Sequence, residues 1–293
     1  MRTTIITGGS SGIGAAVARE CAGAGARVEL CFGDLANDGA ASALVRAARA
    51  SFGPLDAVVH AAGFADQRGF QTLPREALER AFAVMAASFY ELATAALADL
   101  ARRPQGRVVA ISSFGAHRFT PDSTFPASSA AKAALEALAK CLAIELAPSG
   151  ATVNIVSPGF TRKDAGLTGA LDAQAWDVAA KANPLARLAK PDEVAALVSF
   201  LLSPGASHIT GALPVAAPLK TDWRPDLLKG VTVITARFAD GSALTAIPNY
   251  ARYNRNPPAP PYVPPPPQTP GQPPAPRPAP PPAESIIWMR EDA

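Results

Sequence analysis

The sequence predicts an α/β fold, a doubly wound parallel sheet with a proline-rich C-terminal extension. Three observations support this prediction. Short apolar runs rich in β-branched residues alternate with segments of helical periodicity from residue 3 to about residue 217. A glycine-rich turn joins the first apolar run to the first helical segment. Most of the 30 prolines crowd into residues 257–282, where they cannot donate backbone hydrogen bonds to a sheet or a helix.

The predicted elements alternate along the chain. Strands are expected at 3–6, 26–31, 55–63, 106–113, 151–159 and 212–217. Helices are expected at 13–24, 38–52, 74–103, 127–147 and 191–202. Two of these helices open at a proline, Pro74 and Pro191, whose missing N–H does no harm there, and Pro148 stops another. Strands that alternate with helices in this way form parallel sheets covered on both faces.

Composition excludes several classes of protein. The net charge is only +3 and the Lys and Arg residues are scattered, so no nucleic-acid partner is expected. Cys21, Cys31 and Cys141 form no CxxC pair, so we expect small core residues in a reducing compartment and no metal site. The chain opens on a strand without a signal-peptide pattern, and no apolar run reaches about 18 residues. We therefore expect a cytoplasmic protein with no membrane span.

Composition also divides the chain into four segments. An α/β domain is predicted at 1–217, a β-hairpin-like tail at 218–256, a proline-rich linker at 257–283 and a strand-like terminal segment at 284–293. The tail has two apolar runs around an Asp240-Gly241 turn, which is typical of a hairpin. A hairpin of this size is marginally stable by itself. The linker is interpreted as a passive spacer, with a ligand for proline-recognising domains as the alternative.

The turn after the first strand predicts a dinucleotide site. A pyrophosphate needs backbone N–H groups close by, and glycines let the backbone approach and turn tightly. The N-terminus of the following helix adds aligned donors and a positive dipole end. The position between a strand and a helix favours this interpretation over an ordinary turn. The predicted cofactor contacts in this turn are Thr7, Gly8, Ser10, Ser11, Gly12, Ile13 and Gly14.

The TGxxxGxG spacing of this turn resembles that of the short-chain dehydrogenase/reductase family. The resemblance runs from residue 3 to about 217. "HAAG" at 60–63 resembles the family's NNAG turn beside the adenine ribose, with His60 in place of the first Asn. "VVAISS" resembles the strand that ends in the catalytic serine, and 130–166 resembles the active-site helix, the next strand and the PG turn. "NPLARLAKPDEVAALVSFLLSPGASHITG" resembles the family's C-terminal signature.

The resemblance implies a Rossmann-like fold that binds NAD(P)(H) and transfers hydride between nicotinamide and a carbonyl/alcohol substrate. It implies that Ser113 bonds the substrate carbonyl, with Ser112 as a shifted alternative. It implies that Lys132 bonds the nicotinamide ribose and lowers the pKa of the catalytic acid. The long helices imply a homodimer or homotetramer. The further cofactor contacts that it implies are Ala61, Ala62, Gly63, Pro158, Gly159 and Thr161.

The chain departs from the family in its catalytic set. The tyrosine position, four residues before Lys132, holds Ser128, and the position of the proton-relay asparagine holds Met85. A phenol with a pKa of about 10, lowered by a nearby ammonium, can protonate an alkoxide near neutral pH. A serine hydroxyl is far less acidic, and the loss of a positioned acid typically slows a reaction about 10²–10⁴-fold. Ser128 stays a candidate catalytic residue, because a water held between its hydroxyl and the substrate could relay a proton. His117 is another candidate donor, although a solvated loop histidine is its favoured interpretation.

The chain is also short of about one βα unit. About 50 residues separate Gly14 from Gly63, where two strands and three helices of ordinary length need roughly 65–70. Asp34 therefore has three interpretations: an acid on the ribose hydroxyls, the family's aspartate near the adenine ring, or a helix N-cap. The first of them, with the absence of a basic residue at Ser11, slightly favours NAD over NADP.

The tail departs from the family as well. "LTAIPNYARYNR" and "IIWMRED" resemble the C-terminal edge of the family that includes β-L-arabinofuranosidases. The catalytic residues of that family lie upstream of this edge and have no counterpart here, so no glycosidase activity is carried over. The resulting expectation is a reductase impaired by the loss of the catalytic tyrosine. Two alternatives stay open: an inactive nucleotide-binding or interaction protein on the same fold, and a carbohydrate-related β-module. Tyr90 is expected to be a helix-packing residue, and 160–190, with Phe160, Leu167 and Trp176, a lid over the site.

Overall fold

The computed structural model describes residues 3–24, 31, 33–102, 105–119, 125–162, 173–216, 234–237 and 243–246. The strands are β1 (Thr4–Thr7), β2 (Ala57–His60), β3 (Arg107–Ile111), β4 (Thr152–Pro158), β5 (Val215–Ala216), β6 (Ile234–Arg237) and β7 (Ala243–Ala246). The helices are α1 (Gly12–Gly23), α2 (Ala40–Phe52), α3 (Arg75–Phe82), α4 (Ser88–Arg102), α5 (Pro126–Leu146), α6 (Ala173–Ala182) and α7 (Pro191–Leu202). The strand predicted at 26–31, the proline-rich linker and the terminal segment lie almost wholly outside the described residues.

The sheet is parallel throughout, with its described strands in the order β1-β2-β3-β4-β5. Every residue of β2, β3 and β4 is buried. Strands buried on both faces are typical of a parallel sheet covered by helices on each side. The predicted α/β doubly wound fold is therefore confirmed. The missing βα unit stays a prediction, because the stretch between α1 and α2 is described only in part.

Two hydrophobic clusters lie on opposite faces of the sheet. Val58 of β2 packs on one face with residues of α2, α4 and α5, including Val45, Leu92 and Leu135. Its neighbour Val59 packs on the other face with residues of α1 and α7. Successive side chains of a strand point to opposite faces, so one strand contributes to both clusters. Full burial of each such aliphatic side chain contributes roughly 1.5–3 kcal/mol.

The predicted single helix at 74–103 is interrupted by a π turn, Ala83–Ala87, between α3 and α4. The hydroxyl of Ser88 donates to the carbonyl oxygen of Val84 at 2.6 Å, within this region. By length and composition the helix Arg75–Arg102 could cross a membrane, but half of its most apolar window is buried inside the protein. A core helix passes the same test, so this finding is weak evidence for a membrane span.

Three smaller expectations are corrected or met. Cys31 and Cys141 are exposed rather than core residues, and Cys141 lies off the buried stripe of α5 that includes Leu142 and Leu146. Tyr90 is 61% exposed, so it is not a packing residue. The two strands predicted in the tail are present as the antiparallel pair β6 and β7, while their Asp240-Gly241 turn lies outside the described residues. The division of the chain into four segments stays a prediction.

Candidate active site

The glycine turn packs tightly against the segment that follows β2. Gly8 has a φ of +68°, and a Cβ there would lie 2.8 Å from the backbone nitrogen of Ala62. A Cβ on Gly14 would lie 2.2 Å from the carbonyl oxygen of Gly8. Only glycine fits these two positions, because one requires a left-handed backbone and the other a close helix approach. The turn therefore brings the N-terminus of α1 to the carboxyl edge of the sheet, the geometry that a pyrophosphate requires.

Thr7 links the same two segments. Its carbonyl oxygen accepts a hydrogen bond from the N–H of Ala61 at 3.3 Å, and its buried hydroxyl accepts one from the N–H of Ala62 at 3.3 Å. Ser11 caps α1 with extended backbone and makes no side-chain cap hydrogen bond. The residues predicted from two separate motifs are thus held together, although the contacts of Ser10, Ser11, Gly12 and Ile13 with a dinucleotide stay predictions.

Lys132 lies where α5, β3 and the turn after β2 converge. Its Nζ donates to the carbonyl oxygen of Ile111 at 2.6 Å and to that of Ala62 at 3.3 Å. Gly63 faces this ammonium, because a Cβ there would lie 3.0 Å from Nζ. Burial lowers the pKa of Lys132 to about 8, while the nearby carboxylate of Glu136 acts to raise it. An ammonium has three hydrogens, so Lys132 retains one donor for a ligand beside Gly63.

Ser113 follows β3 and caps a short 3₁₀ turn at Phe114–Ala116. Its hydroxyl accepts a hydrogen bond from the N–H of Gly115 at 3.2 Å and is partly exposed. The alternative residue, Ser112, is buried and donates its hydroxyl to a carboxylate oxygen of Glu136 at 2.5 Å. The Ser112 hydroxyl is therefore already engaged away from a ligand. This arrangement favours Ser113 over Ser112 as the substrate-binding serine.

Ser128 lies one helical turn before Lys132 on α5 and is half-buried. Its hydroxyl oxygen accepts a hydrogen bond from the backbone N–H of Asp66 at 2.9 Å. Asp66 belongs to the segment after β2, which together with α3 lines a cavity of about 540 Å³. The lining residues of this cavity include Phe64, Asp66, Arg68 and Arg80. The serine in the tyrosine position therefore holds one wall of a recess beside the site.

Met85 and His60 occupy two family positions that normally hold asparagine. Met85 is fully buried in the π turn, and its Cγ would lie 3.6 Å from a Cβ on Gly63. His60 is also fully buried, and its Nε2 lies 2.9 Å from the hydroxyl of Ser88. That hydroxyl donates to Val84, so we assign the hydrogen of this contact to Nε2 of His60. Burial lowers the pKa of His60 to about 3, and the charge of Lys132 adds to the effect.

Asp34 lies outside the buried part of the site. Its carboxylate accepts from the N–H of Ala36 at 3.0 Å and from the guanidinium of Arg80 at 3.0 Å. The hydrogen bond from the backbone of Ala36 lowers the pKa of this carboxyl most, and the hydrogen bond from Arg80 lowers it further. Its interpretation as a helix N-cap is wrong, because α2 begins at Ala40 with Gly39 as N-cap. The neighbouring Leu35 and Ala36 pack against a cluster that includes Ala62 and Met85, which places Asp34 near the turn after β2.

The turn after β4 closes the site on another side. β4 ends at Pro158, and the hydroxyl of Thr161 donates to the carbonyl oxygen of Gly159 at 3.0 Å. The ring of Phe160 packs edge-on against Phe114 at 4.9 Å and against Trp176 at 6.2 Å. An apolar wall therefore adjoins Ser113. Leu167, the third residue predicted for the lid, lies outside the described residues.

A buried acid that the sequence reasoning missed lies beside this set. Glu136, one turn after Lys132, is 3% exposed. Nε2 of His117 lies 2.8 Å from its carboxylate oxygen. His117 is an exposed loop residue, as expected, but it also binds this buried carboxylate, which the sequence did not indicate. A charged residue in the apolar stripe of an amphipathic helix was the available signal.

Comparison with known proteins places this geometry in context. The family model described as Enoyl-(Acyl carrier protein) reductase matches residues 29–216. The cis-4-hydroxycyclohexanecarboxylate dehydrogenase of Sinomonas cyclohexanicum is 32% identical over 237 residues, which cover 72% of this chain and 93% of that protein. The L-rhamnose 1-dehydrogenase (NAD(P)(+)) of Azotobacter vinelandii is 30% identical over 247 residues, with coverages of 72% and 93%.

Solved structures give the same picture. A short-chain dehydrogenase from Burkholderia cenocepacia in complex with NADP is 29% identical, with a TM-score of 0.68, and the match covers 74% of this chain and 96% of that one. The short-chain dehydrogenase/reductase from Serratia marcescens is 29% identical, with a TM-score of 0.65 and coverages of 73% and 95%. Sequence and fold thus agree over the α/β part of the chain.

Proposed function

Since the chain belongs to the short-chain dehydrogenase/reductase family, we propose that it is an NAD(P)-dependent oxidoreductase that interconverts a carbonyl and an alcohol slowly. The observation that carries the proposal is the position of Lys132. Its ammonium is buried between Ile111, at the end of β3, and Ala62, in the turn after β2. This is the junction at which a dinucleotide held by the glycine turn would present its nicotinamide ribose.

The residues present fit the cofactor that the family uses. The turn from Thr7 to Gly14 would hold the pyrophosphate, because its two tightest positions are glycines that no side chain could replace. Lys132 would hold the nicotinamide ribose, and Ser113 would hold the oxygen of the substrate. When bound, the cofactor supplies or accepts the hydride. The protein must therefore supply position and a proton.

Turnover is proposed to be slow because Ser128 stands in place of the tyrosine. The serine hydroxyl is a weak acid, and its oxygen already accepts the N–H of Asp66. Loss of a positioned acid costs about 10²–10⁴-fold in rate. Hydride positioning and the Ser113 hydrogen bond do not depend on Ser128. A slow reaction is therefore the expected result rather than none.

The finer assignments are also proposals. NAD is favoured slightly over NADP, because Asp34 brings an acid towards the adenine side of the site and Ser11 brings no base. The substrate is proposed to be a small carbonyl or alcohol compound. Cyclic ketones that carry a carboxylate deserve first trial, since one relative is a cis-4-hydroxycyclohexanecarboxylate dehydrogenase. We further propose a cytoplasmic homodimer or homotetramer.

A second candidate function is a nucleotide-binding protein without turnover. Two observations favour it: the oxygen of Ser128 holds the segment at Asp66, and the apolar Met85 fills the asparagine position. The resemblance of the tail to the arabinofuranosidase family stays a prediction, as does a carbohydrate-related role. Neither rests on a described side chain.

Cofactor binding and turnover separate these candidates. Titration calorimetry with NAD⁺, NADH, NADP⁺ and NADPH tests the cofactor first, and NADH or NADPH oxidation against a panel of ketones tests the reaction. Binding with slow oxidation is the expected result, and binding without oxidation supports the second candidate. If none of these four nucleotides binds at millimolar concentration, both the cofactor assignment and the redox assignment are wrong. The Lys132→Met variant, which lacks the ammonium but keeps a long side chain, should lose most of the cofactor binding.

A further inference from the structure

A buried carboxylate lies beside the turn that carries Ser113. Glu136 belongs to the stripe of α5 that also buries Leu135 and Ala139, and it is 3% exposed. A carboxylate in such a place is costly unless hydrogen bonds satisfy it. An apolar side chain would fill the stripe at lower cost. The groups that bind Glu136 therefore indicate its role.

Two hydrogen bonds to this carboxylate come from the two ends of one loop. The hydroxyl of Ser112 donates to Oε1 of Glu136 at 2.5 Å, and Nε2 of His117 lies 2.8 Å from the same atom. An ionised carboxylate only accepts, so we assign the hydrogen of the second contact to the imidazole. One oxygen atom therefore closes residues 112–117 into a loop, and Ser113 is the second residue of that loop.

The two ends of the loop are held in different ways. The backbone N–H of Ser112 donates to the carbonyl oxygen of Val156 on β4 at 2.7 Å, so the sheet fixes this end. His117 lies just past the 3₁₀ turn, outside the helices and strands, and its side chain is 33% exposed. The Ser112 hydroxyl thus orients the carboxylate of Glu136. The carboxylate in turn holds the exposed end of the loop against α5.

The loop also fixes the direction of the Ser113 hydroxyl. Ser113 is the N-cap of the 3₁₀ turn, and its hydroxyl oxygen accepts the N–H of Gly115 at 3.2 Å. A hydroxyl that accepts in this way still has its own hydrogen to donate, which is what a substrate oxygen requires. The turn lies against α5, because a Cβ on Gly115 would be 3.4 Å from Oγ of Ser129. Ser129 follows Ser128 directly, so a displaced turn would move Ser113 away from the reacting groups.

We propose that Glu136 and His117 are positioning residues that hold the Ser113 hydroxyl in place for the oxygen of the substrate. They act through the turn, so neither touches the substrate or the cofactor. The inference rests on the proposed function, because Ser113 needs a fixed direction only where a substrate oxygen binds. Supporting contacts must hold such a group within about 0.5 Å of its productive position. Loss of a direct donor to the reacting oxygen costs about 10²–10³-fold in rate, so a loosened donor should cost less.

Substitutions at Glu136 separate its hydrogen bonds from its charge. Glu136→Leu removes the acceptor and should lower kcat/KM for ketone reduction about 10-fold, while the affinity for NADH or NADPH, measured by calorimetry, should change far less. Glu136→Gln keeps a carbonyl oxygen that can accept both hydrogen bonds, so it should retain most of the rate. Glu145→Gln, at an exposed acid of the same helix, should behave as wild type.

A double-mutant cycle shows whether Glu136 acts through Ser113. Ser113→Ala removes the donor, so the addition of Glu136→Leu should lower kcat/KM no further. General damage to the fold would instead add to the effect of Ser113→Ala. The cycle is repeated with His117→Ala, which removes one of the two contacts and should lower the rate several-fold. His117 is exposed, so this variant should fold even if thermal unfolding shows that Glu136→Leu does not.

Hydrogen exchange tests the same contacts without turnover. The backbone N–H groups of Gly115, Ala116 and His117 all donate within the turn. A peptide that covers 112–118 should exchange several-fold faster in Glu136→Leu and in His117→Ala than in wild type. Glu136→Gln should keep the wild-type exchange. Peptides from α1 should exchange equally in all of these proteins, which shows that the effect is local.

Each outcome decides the question. Unchanged kcat/KM, or unchanged exchange of 112–118, in the folded variants overturns the proposal. A loss in Glu136→Gln as large as that in Glu136→Leu overturns it too, and so do additive losses in the double-mutant cycles. If the wild-type protein binds no cofactor, the proposed function fails and the positioning role fails with it. Cofactor binding and wild-type turnover with unaffected variants overturn the positioning role alone.

Discussion

The hydroxyl oxygen of Ser128 accepts the backbone N–H of Asp66 at 2.9 Å. A side chain in the position of the catalytic tyrosine is therefore used to fix the segment that follows β2. A single hydrogen bond thus gives this position a structural role in place of the chemical role that a tyrosine would have there. Substitutions at Ser128 can separate the two uses.

Ser128→Tyr should raise the rate of NAD(P)H-dependent ketone reduction. A phenol beside the Lys132 ammonium is a competent acid, and its gain should be about 10²-fold or more. The matched control is Ser128→Phe, which has the same ring and the same loss of the Asp66 contact but no hydroxyl. Initial rates are measured on the ketone panel. Equal rates for the Tyr and Phe variants would contradict our view that the missing phenol limits turnover.

Met85→Asn should matter only when the phenol is present. Alone, it buries an amide in an apolar turn and should cost about 1–3 kcal/mol of unfolding free energy, with no gain in rate. In the Ser128→Tyr background it should raise kcat beyond the single variant. The double-mutant cycle in kcat, with urea unfolding as the control for stability, measures this coupling. Additive effects would mean that the two positions act independently.

Gly14→Ala should disrupt both the fold and cofactor binding. Its Cβ would lie 2.2 Å from the carbonyl oxygen of Gly8, so the turn must move. We expect a loss of about 1–3 kcal/mol in unfolding free energy and weaker NADH binding by calorimetry. Gly23→Ala is the control at the other end of α1, where a Cβ would meet nothing within 4 Å. It should be neutral or stabilising by up to about 1 kcal/mol. Similar losses in both variants would refute the close packing of the turn.

His60 should make the protein sensitive to acid. Burial and the charge of Lys132 lower its pKa to about 3 in the folded chain, against about 6.5 when unfolded. Above pH 6.5 the histidine is neutral in both the folded and the unfolded chain, so it does not make stability depend on pH. As the pH falls from 6.5 towards 3, only the unfolded chain takes up the proton, which stabilises the unfolded state. Stability should therefore fall by up to about 1.4 kcal/mol for each pH unit in this window, roughly 5 kcal/mol in all.

Urea unfolding between pH 7 and 4 checks this sign. His60→Asn should flatten the dependence, whatever it does to stability at pH 7. His208→Gln, at an exposed histidine, should leave the dependence as in wild type. A slope that is unchanged in His60→Asn would show that other groups cause the acid sensitivity.

Local patterns predicted most of the fold. The limits of α2, α5 and α7 lie within two residues of the predicted ones, because apolar spacing and prolines such as Pro191 act within a few residues of the chain. The glycine turn was predictable for the same reason. Its requirement for Gly8 and Gly14 is stereochemical, and a short motif records it.

Pairings over long sequence distances were not predictable. Ser128 meets Asp66 across 62 residues, and Ser112 meets Glu136 across 24. No periodicity marks such partners, since each is polar for reasons that only the folded chain supplies. The substitution of His60 for asparagine was visible, but its partner Ser88 was not, because the π turn that presents Ser88 leaves no clear sign in the sequence.

The π turn at Ala83–Ala87 gives the long helix two phases. A wider turn takes up about one extra residue, which rotates everything after it by roughly 100° relative to a regular helix. Ala81 in front of the turn packs towards Ala62 and Ala131, whereas Phe89 behind it packs into the cluster over β2. Deleting a single alanine from the turn should therefore close it into a regular helical turn and leave the side chains of α4 facing the neighbours that they have now. A deletion within α4 itself would instead rotate every residue that follows it away from its neighbours in the core.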